Sequence, residues 1–233
     1  MPPMTYWTPL LLDTFRGPVG NSSGIANPYR DEDGDLDRSG AAKIRRRNLR
    51  LYLDRVGVPR LVLLGEAIGY RGGRFSGIAF TSERQIAGDG EERLAWTGEA
   101  GFRPSGRHPS LWLEPSGTIV WSALASLPSV PRGVLLWNAF PWHPQGAGGP
   151  LSNRTPERSM LKENLHVLET LLSLLPARTR LAAVGRTAEA ALGLLGVPAV
   201  PLRHPAHGGA TRFRSQLGAL LSEIGISRGT IDS

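Results

Sequence analysis

The sequence contains no cysteine. That excludes a disulfide framework, a thiolate zinc site and a cysteine-ligated iron–sulfur cluster. Lysine is nearly absent: Lys43 and Lys162 are the only two among 27 basic residues. Lys162 falls on an amphipathic helical pattern away from the strand ends, so Schiff-base chemistry has no obvious nucleophile. No apolar run approaches the roughly 20 residues of a membrane helix. The first residues, MPPMTYWTPLLLDTFRG, lack the basic stretch and long apolar core of a secretory signal. A cytoplasmic protein away from membranes is expected. Several motifs are also missing. There is no Walker loop, no G-x-G-x-x-G opening a helix, no H-E-x-x-H pair and no G-x-S-x-G elbow. The five histidines (108, 143, 166, 204 and 207) show no tight ligand spacing. The expectation is therefore no cofactor and no metal. RDEDGDLDRSG superficially resembles a calcium loop, but its glycine stands fourth instead of sixth and its twelfth residue is Ala42. It is expected to be a solvated loop leading into a helix.

What is present fits one large α/β domain: 233 residues, 40% of them hydrophobic. The net charge of +7 suggests a polyanionic partner. Arginines spread over the surface without a partner are the plain alternative.

Residues 1–38, rich in Pro, Gly and Asp, are expected to form an extended segment packed on the domain. Ser39 is positioned to cap a helix over about 41–55, ended by Gly57. RLVLLGEA reads as a short buried strand. PSGTIVWSALASL carries helical spacing, and RGVLLWN is a second buried strand. Thr155–Pro156 marks a helix start; Leu161, Leu165, Leu168, Leu172 and Leu175 then share one face. TRLAAVG is a third strand, residues 187–195 a helix, AVPLRHP a fourth strand, and GATRFRSQLGALLSEIG a last helix. Strands alternating with helices predict a three-layer α/β/α fold around a central, mainly parallel four-stranded sheet.

In such sheets ligands sit beyond the carboxyl ends of the strands. Those ends read GEAIGYRG, NAFPWHP, GRTAEA and HPAHGG, and they hold Glu66, Asn138 and His204. A carboxylate, an amide and an imidazole in one cleft form a common enzyme arrangement.

The order LLGEAIG, SGIAFTSE, LLWNAF, VPLRHPAHGG resembles the uracil-DNA glycosylase superfamily, over about residues 25–220. The bacterial members with a GEAPG-type first motif are most similar, although this chain lacks iron–sulfur cysteines. NPY upstream and SNRTP downstream fit the same branch. The resemblance implies a monofunctional DNA-repair hydrolase that flips a uracil out of DNA and leaves an abasic site, with free uracil as product. It implies a monomer without cofactor. It makes Asn138 the base reader, since an amide offers an acceptor and two donors to uracil O4 and N3–H. Phe80 would stack on the base. His204 would donate to O2 and stabilise the leaving uracil anion. Glu66 would orient or activate water, and Gly65 and Ala67 would line the base with backbone. Arg71, Arg74, Arg212 and Arg214 flank the cleft as phosphate ligands, and His207–Gly208 stand where the family has its minor-groove wedge.

The sequence departs from the family in four places. Ala67 replaces a water-activating Asp. Ile68 replaces the Pro of GEAPG. Ala206 replaces the Ser of HPS. Gly69 stands where some members have a Tyr that excludes the thymine methyl, leaving Tyr70 to move in. Three further readings therefore stay open: the same fold acting on hypoxanthine, xanthine or a mismatched pyrimidine; a DNA-binding protein with little catalysis; and a glycosidase of free nucleosides, against which the positive charge argues.

Overall fold

The structure, a computed structural model, describes residues 4–17, 24–98, 101–125, 127 and 130–226. A 3-10 turn (Met4–Trp7) leads into α1 (Thr8–Arg16), β1 (Ile25–Ala26), α2 (Ala41–Val56), β2 (Leu61–Ala67), α3 (Gly73–Ser76) and α4 (Glu83–Ala87). After a second 3-10 turn (Ala95–Thr97) come α5 (Pro115–Leu124), β3 (Val134–Phe140), β4 (His143–Gly146) and β5 (Gly149–Asn153). The chain continues through α6 (Arg158–Glu163), α7 (Leu165–Leu174), β6 (Arg180–Val184), α8 (Arg186–Leu194), β7 (Val200–Leu202) and α9 (Ala210–Glu223).

The four expected strands form one parallel sheet in the order β3-β2-β6-β7. Leu61–Leu64 and all of β3 are buried. That is why they read as continuous apolar runs: a parallel strand is covered on both faces and has no solvent side to alternate with. α2 packs on β3, and α8 packs on β2, β6 and β3. The chain leaves β2 toward β3 on one side and later returns to β6 on the other. The carboxyl end of β2 is thus the switch point of the sheet, where a crevice opens.

Four details differ from expectation. The N-terminal segment is not wholly extended, because it contains α1, whose Asp13 accepts from the Thr170 hydroxyl of α7 at 2.5 Å. α2 is capped by Glu32, which accepts from the backbone N–H groups of Gly40 and Ala42 at 3.2 and 3.0 Å, and not by Ser39. The leucine-rich helix is broken at Asn164, whose side-chain amide donates to the Met160 carbonyl at 2.7 Å; such local bonds compete with helix propagation. The acidic loop is only partly solvated. Asp37 is buried and paired with Arg45 at 2.9 Å and Arg74 at 3.0 Å. Burial by itself would raise the pKa of Asp37, but the two guanidiniums pull it below the ordinary carboxylate range.

A second, antiparallel sheet of order β1-β4-β5 was not foreseen. It joins β1, paired through Ile25 and Ala26, to HPQGAGGPLSN, where β4 turns back as β5. Its place next to the β2 loop matters for the site.

Candidate active site

Parallel register sets Gly65 at the end of β2 directly opposite Asn138 of β3. The Asn138 side chain is buried, and its Oδ1 would lie 2.6 Å from a Cβ at Gly65. The same Cβ would penetrate the Phe80 ring. Glycine at 65 is therefore a requirement of space: amide and ring both close over it. Phe80 takes a left-handed conformation, φ 52, and its carbonyl lies where a Cβ on Gly117 would be. The first turn of α5 is thus shaped to the strained backbone of Phe80.

His204 follows β7 and faces Phe80 with ring centroids 6.4 Å apart. The Ala206 backbone N–H donates to His204 Nδ1 at 3.2 Å. Nδ1 is then an acceptor, and a neutral ring carries its proton on Nε2. Burial lowers the His204 pKa; Glu66 opposes that, while Arg203 and His207 add to it. The residue expected to donate is thus held neutral with one N–H to give. Ala206 supplies this contact from its backbone, which needs no serine side chain.

Glu66 does not simply face water. Its Oε1 accepts from the Thr187 N–H at 3.0 Å and lies 2.7 Å from where a Gly185 Cβ would be. The carboxylate therefore sits on the positive end of α8, where an anion is favoured. Its charge also reaches His204.

The loop after β2 is fastened to the β4–β5 hairpin. Ile68 N–H donates to the Trp142 carbonyl at 3.1 Å. Tyr70 N–H donates to Asn153 Oδ1 at 3.0 Å. His143, fully buried, places Nδ1 3.0 Å from the Ile68 carbonyl and Nε2 3.2 Å from the Pro150 carbonyl. Tyr70 packs its ring edge-on against Trp112, and the Arg71 guanidinium lies over Tyr70 and bonds its hydroxyl at 2.8 Å. Gly69 is faced instead by the Glu114 carboxyl, 3.0 Å from where a Cβ would be, with the Asn153 amide 3.8 Å away.

The arginines divide. Arg74, expected at a phosphate, is buried on Asp37 through two hydrogen bonds of 3.1 and 3.0 Å and lies over Phe75. It holds the acidic loop to α3 and is not available to DNA. Arg71, Arg212 and Arg214 are exposed, as are His207 and Gly208. Both members of that pair have positive φ, 52 and 74. A cleft of about 1110 Å³ runs from Glu66 and His204 past Arg158, Arg186, Arg203 and Arg212. Three of those four were missed in the sequence. Arg203 directly follows β7, in LRHP, and Arg186 comes one residue after β6, in GRT, and that position was the available signal. Arg158 joins the cleft only through folding. No group of three or more His, Cys, Asp or Glu able to hold a metal occurs among the described residues. No helix among them is long and apolar enough to cross a membrane.

The structure is similar to the crystal structure of wild-type SMUG2 from Pedobacter heparinus, at 15% identity and a TM-score of 0.62, covering 95% of this chain and 99% of that one. At that identity the likeness speaks for the fold alone. No curated protein matches the sequence. The family model of the uracil DNA glycosylase superfamily matches residues 55–218, which include β2 with its loop, Phe80, Asn138 and His204. The fold, the ordered motifs and that match agree: the chain belongs to the uracil DNA glycosylase superfamily and is, by that membership, a hydrolytic DNA glycosylase.

Proposed function

We propose that the chain releases uracil from DNA and leaves an abasic site. The observation that carries the reading is the meeting of Asn138, Phe80 and Gly65 at the sheet's switch point, with His204 fixed as a neutral donor beside them. A flipped uracil stacks on Phe80 and pairs O4 and N3–H with the Asn138 amide. His204 Nε2–H donates to O2. As the bond between C1′ and N1 breaks, electrons move onto the base, and a donor at O2 stabilises the uracil anion more than the bound substrate. Water adds to C1′, and the proton it gives up balances the one the uracil anion takes up as it leaves as the free base. Glu66, anchored at one oxygen, orients that water. Ala67 has no side chain that could act as a base, so the site depends on leaving-group stabilisation. Arg158, Arg186, Arg203 and Arg212 take the phosphates of the extruded strand, with Arg71 and Arg214 farther out and His207–Gly208 at the gap left by the base. The enzyme works as a monomer in the cytoplasm, without metal, and uracil leaves as the free base.

The test is alkaline cleavage of single- and double-stranded oligonucleotides carrying one uracil, incubated with the protein in chelator. Scission is expected, with a loss of about 10²–10³-fold in Asn138→Ala and His204→Ala. Full activity in both variants would discard this site. A second reading, excision of hypoxanthine, xanthine or a mismatched pyrimidine, is favoured by one observation: Tyr70 turns toward Trp112 and leaves Gly69 without a ring over it. A panel of damaged bases separates the two, and exclusive uracil release eliminates the second.

A further inference from the structure

His143 is a buried imidazole with a carbonyl oxygen on each nitrogen. A neutral ring has one proton for two acceptors. An imidazolium would serve both, but burial opposes the charge and Arg74 adds to that opposition. The proton must therefore choose. The contact to Ile68 O is fully buried and the shorter of the two, 3.0 against 3.2 Å; the contact to Pro150 O is only partly buried. Water can supply a donor to Pro150, whereas the Ile68 carbonyl has none to spare, and a buried carbonyl left unpaired is the costlier fault. The proton belongs on Nδ1.

Ile68 is the first residue after β2, directly following Glu66 and Ala67 at the end of that strand. Its N–H is held by Trp142 O and its carbonyl by His143, so two consecutive residues between β3 and the start of β4 grip both backbone polar groups of Ile68. Its side chain is buried and comes within 3.2 Å of where a Cβ on Gly73 would be. We propose that His143 is a positioning residue for base release: its Nδ1–H, donated to Ile68, fixes the segment from Glu66 to Gly69, the end of β2 and the start of its loop, against the base. Proline at 68 would restrict this loop through its ring, and here hydrogen bonding restricts it instead. This rests on the reading that Glu66 and Ala67 border the reacting base.

Two side chains separate the two contacts. Asparagine places its amide N–H at the position of Nδ1, and glutamine places it at that of Nε2. His143→Asn keeps a donor to Ile68 and leaves the Nε2 position empty; His143→Gln loses that donor and offers one to Pro150 instead. The experiment measures single-turnover release of uracil, DNA affinity and melting temperature for both. His143→Asn is expected to stay within a few-fold of wild type. His143→Gln is expected to lose about 10- to 100-fold in the release rate, since displacement of a reacting group by about 1 Å costs that much, with DNA affinity and melting temperature matching those of His143→Asn. Equal rates in the two variants would overturn the proposal, because a purely structural role does not distinguish them. The nitrogen-15 spectrum of histidine in the wild-type protein decides independently of whether either variant folds: a protonated Nδ1 at His143 is expected, and a protonated Nε2 refutes the assignment. A wild-type protein that releases no uracil would remove the proposed substrate but leave this tautomer test intact, and the rate comparison would move to the base it does release.

Discussion

Glu114→Gln should stabilise the protein, by a margin that grows as pH rises from about 4.5 to about 7. Glu114 sits at the N-cap position of α5, with its carboxyl against Gly69 and Gly72 of the loop that follows β2 and Glu66. A Cβ on either glycine would meet a Glu114 oxygen. The residue as a whole is half-buried, but Oε2 is shut off from water and has no hydrogen-bond partner. Burial pushes the acid up from 4.5 to about 7. A raised acid favours the protonated fold: its contribution is complete below pH 4.5 and is lost as pH rises through about 7. At about 1.4 kcal/mol per pKa unit, the ionised form costs roughly 3 kcal/mol by pH 8. That is an upper bound, since the N-terminus of α5 attracts the anion. Glutamine has the shape of the protonated acid and cannot ionise. For a chain of this size the gain corresponds to about 6–12 °C in melting temperature at pH 8, shrinking to about a quarter of that at pH 5. Thermal melts of both proteins at the two pH values test it. An equal shift at both pH values, or a lower melting temperature at pH 8, would refute the burial argument.

The remaining predictions concern charge. His143 is depressed to about 4 by burial, so the unfolded chain takes up its proton first; roughly 3 kcal/mol of stability should disappear as pH falls from about 6.5 to about 4, and urea melts of His143→Asn should lack that slope. Asp37→Asn leaves Arg45 and Arg74 buried without an anion, and a loss of about 3–5 kcal/mol is expected in chemical unfolding. Arg186→Ala and Arg203→Ala should each reduce the salt dependence of DNA binding by about 0.7–0.9 in log–log slope. A change in slope of zero for both would take the cleft out of the interface.

The sheet was legible because its strands are short apolar runs between punctuating Gly and Pro, and burial on both faces leaves such runs unmixed. The candidate site was legible as a position where chemistry-bearing residues cluster at the strand ends: Glu66, Asn138 and His204 all stand there. What could not be read is whatever depends on neighbours distant in sequence. The arginine pattern does not distinguish Arg74, buried on an aspartate 37 residues away, from Arg71, which is exposed. Nor does NAFPWHP reveal that its histidine reaches back 75 residues to Ile68. The break at Asn164 was visible as a residue type but overruled by the leucine spacing around it.

The run of rings and prolines that ends β3 has a physical reason in these contacts. Asn138 needs a strand beneath it and the loop after β2 needs something rigid beside it, and one segment meets both needs: Trp142 and His143 turn out of β3 and bond Ile68 directly. Backbone strain falls in the same region. Three non-glycine residues among those described have positive φ, and two of them are Phe80 and His207. Each such residue costs on the order of 1–3 kcal/mol, and it persists only where surrounding packing determines it. At Phe80 that packing is Gly117 and Gly65; at His207 it is the tight approach of Gly209 to the His204 carbonyl. Replacing Gly117 with alanine should therefore harm Phe80 before it harms α5: base release should fall while the circular dichroism of the helices is unchanged. A variant that kept its rate would show that the left-handed turn at Phe80 is tolerated without being used.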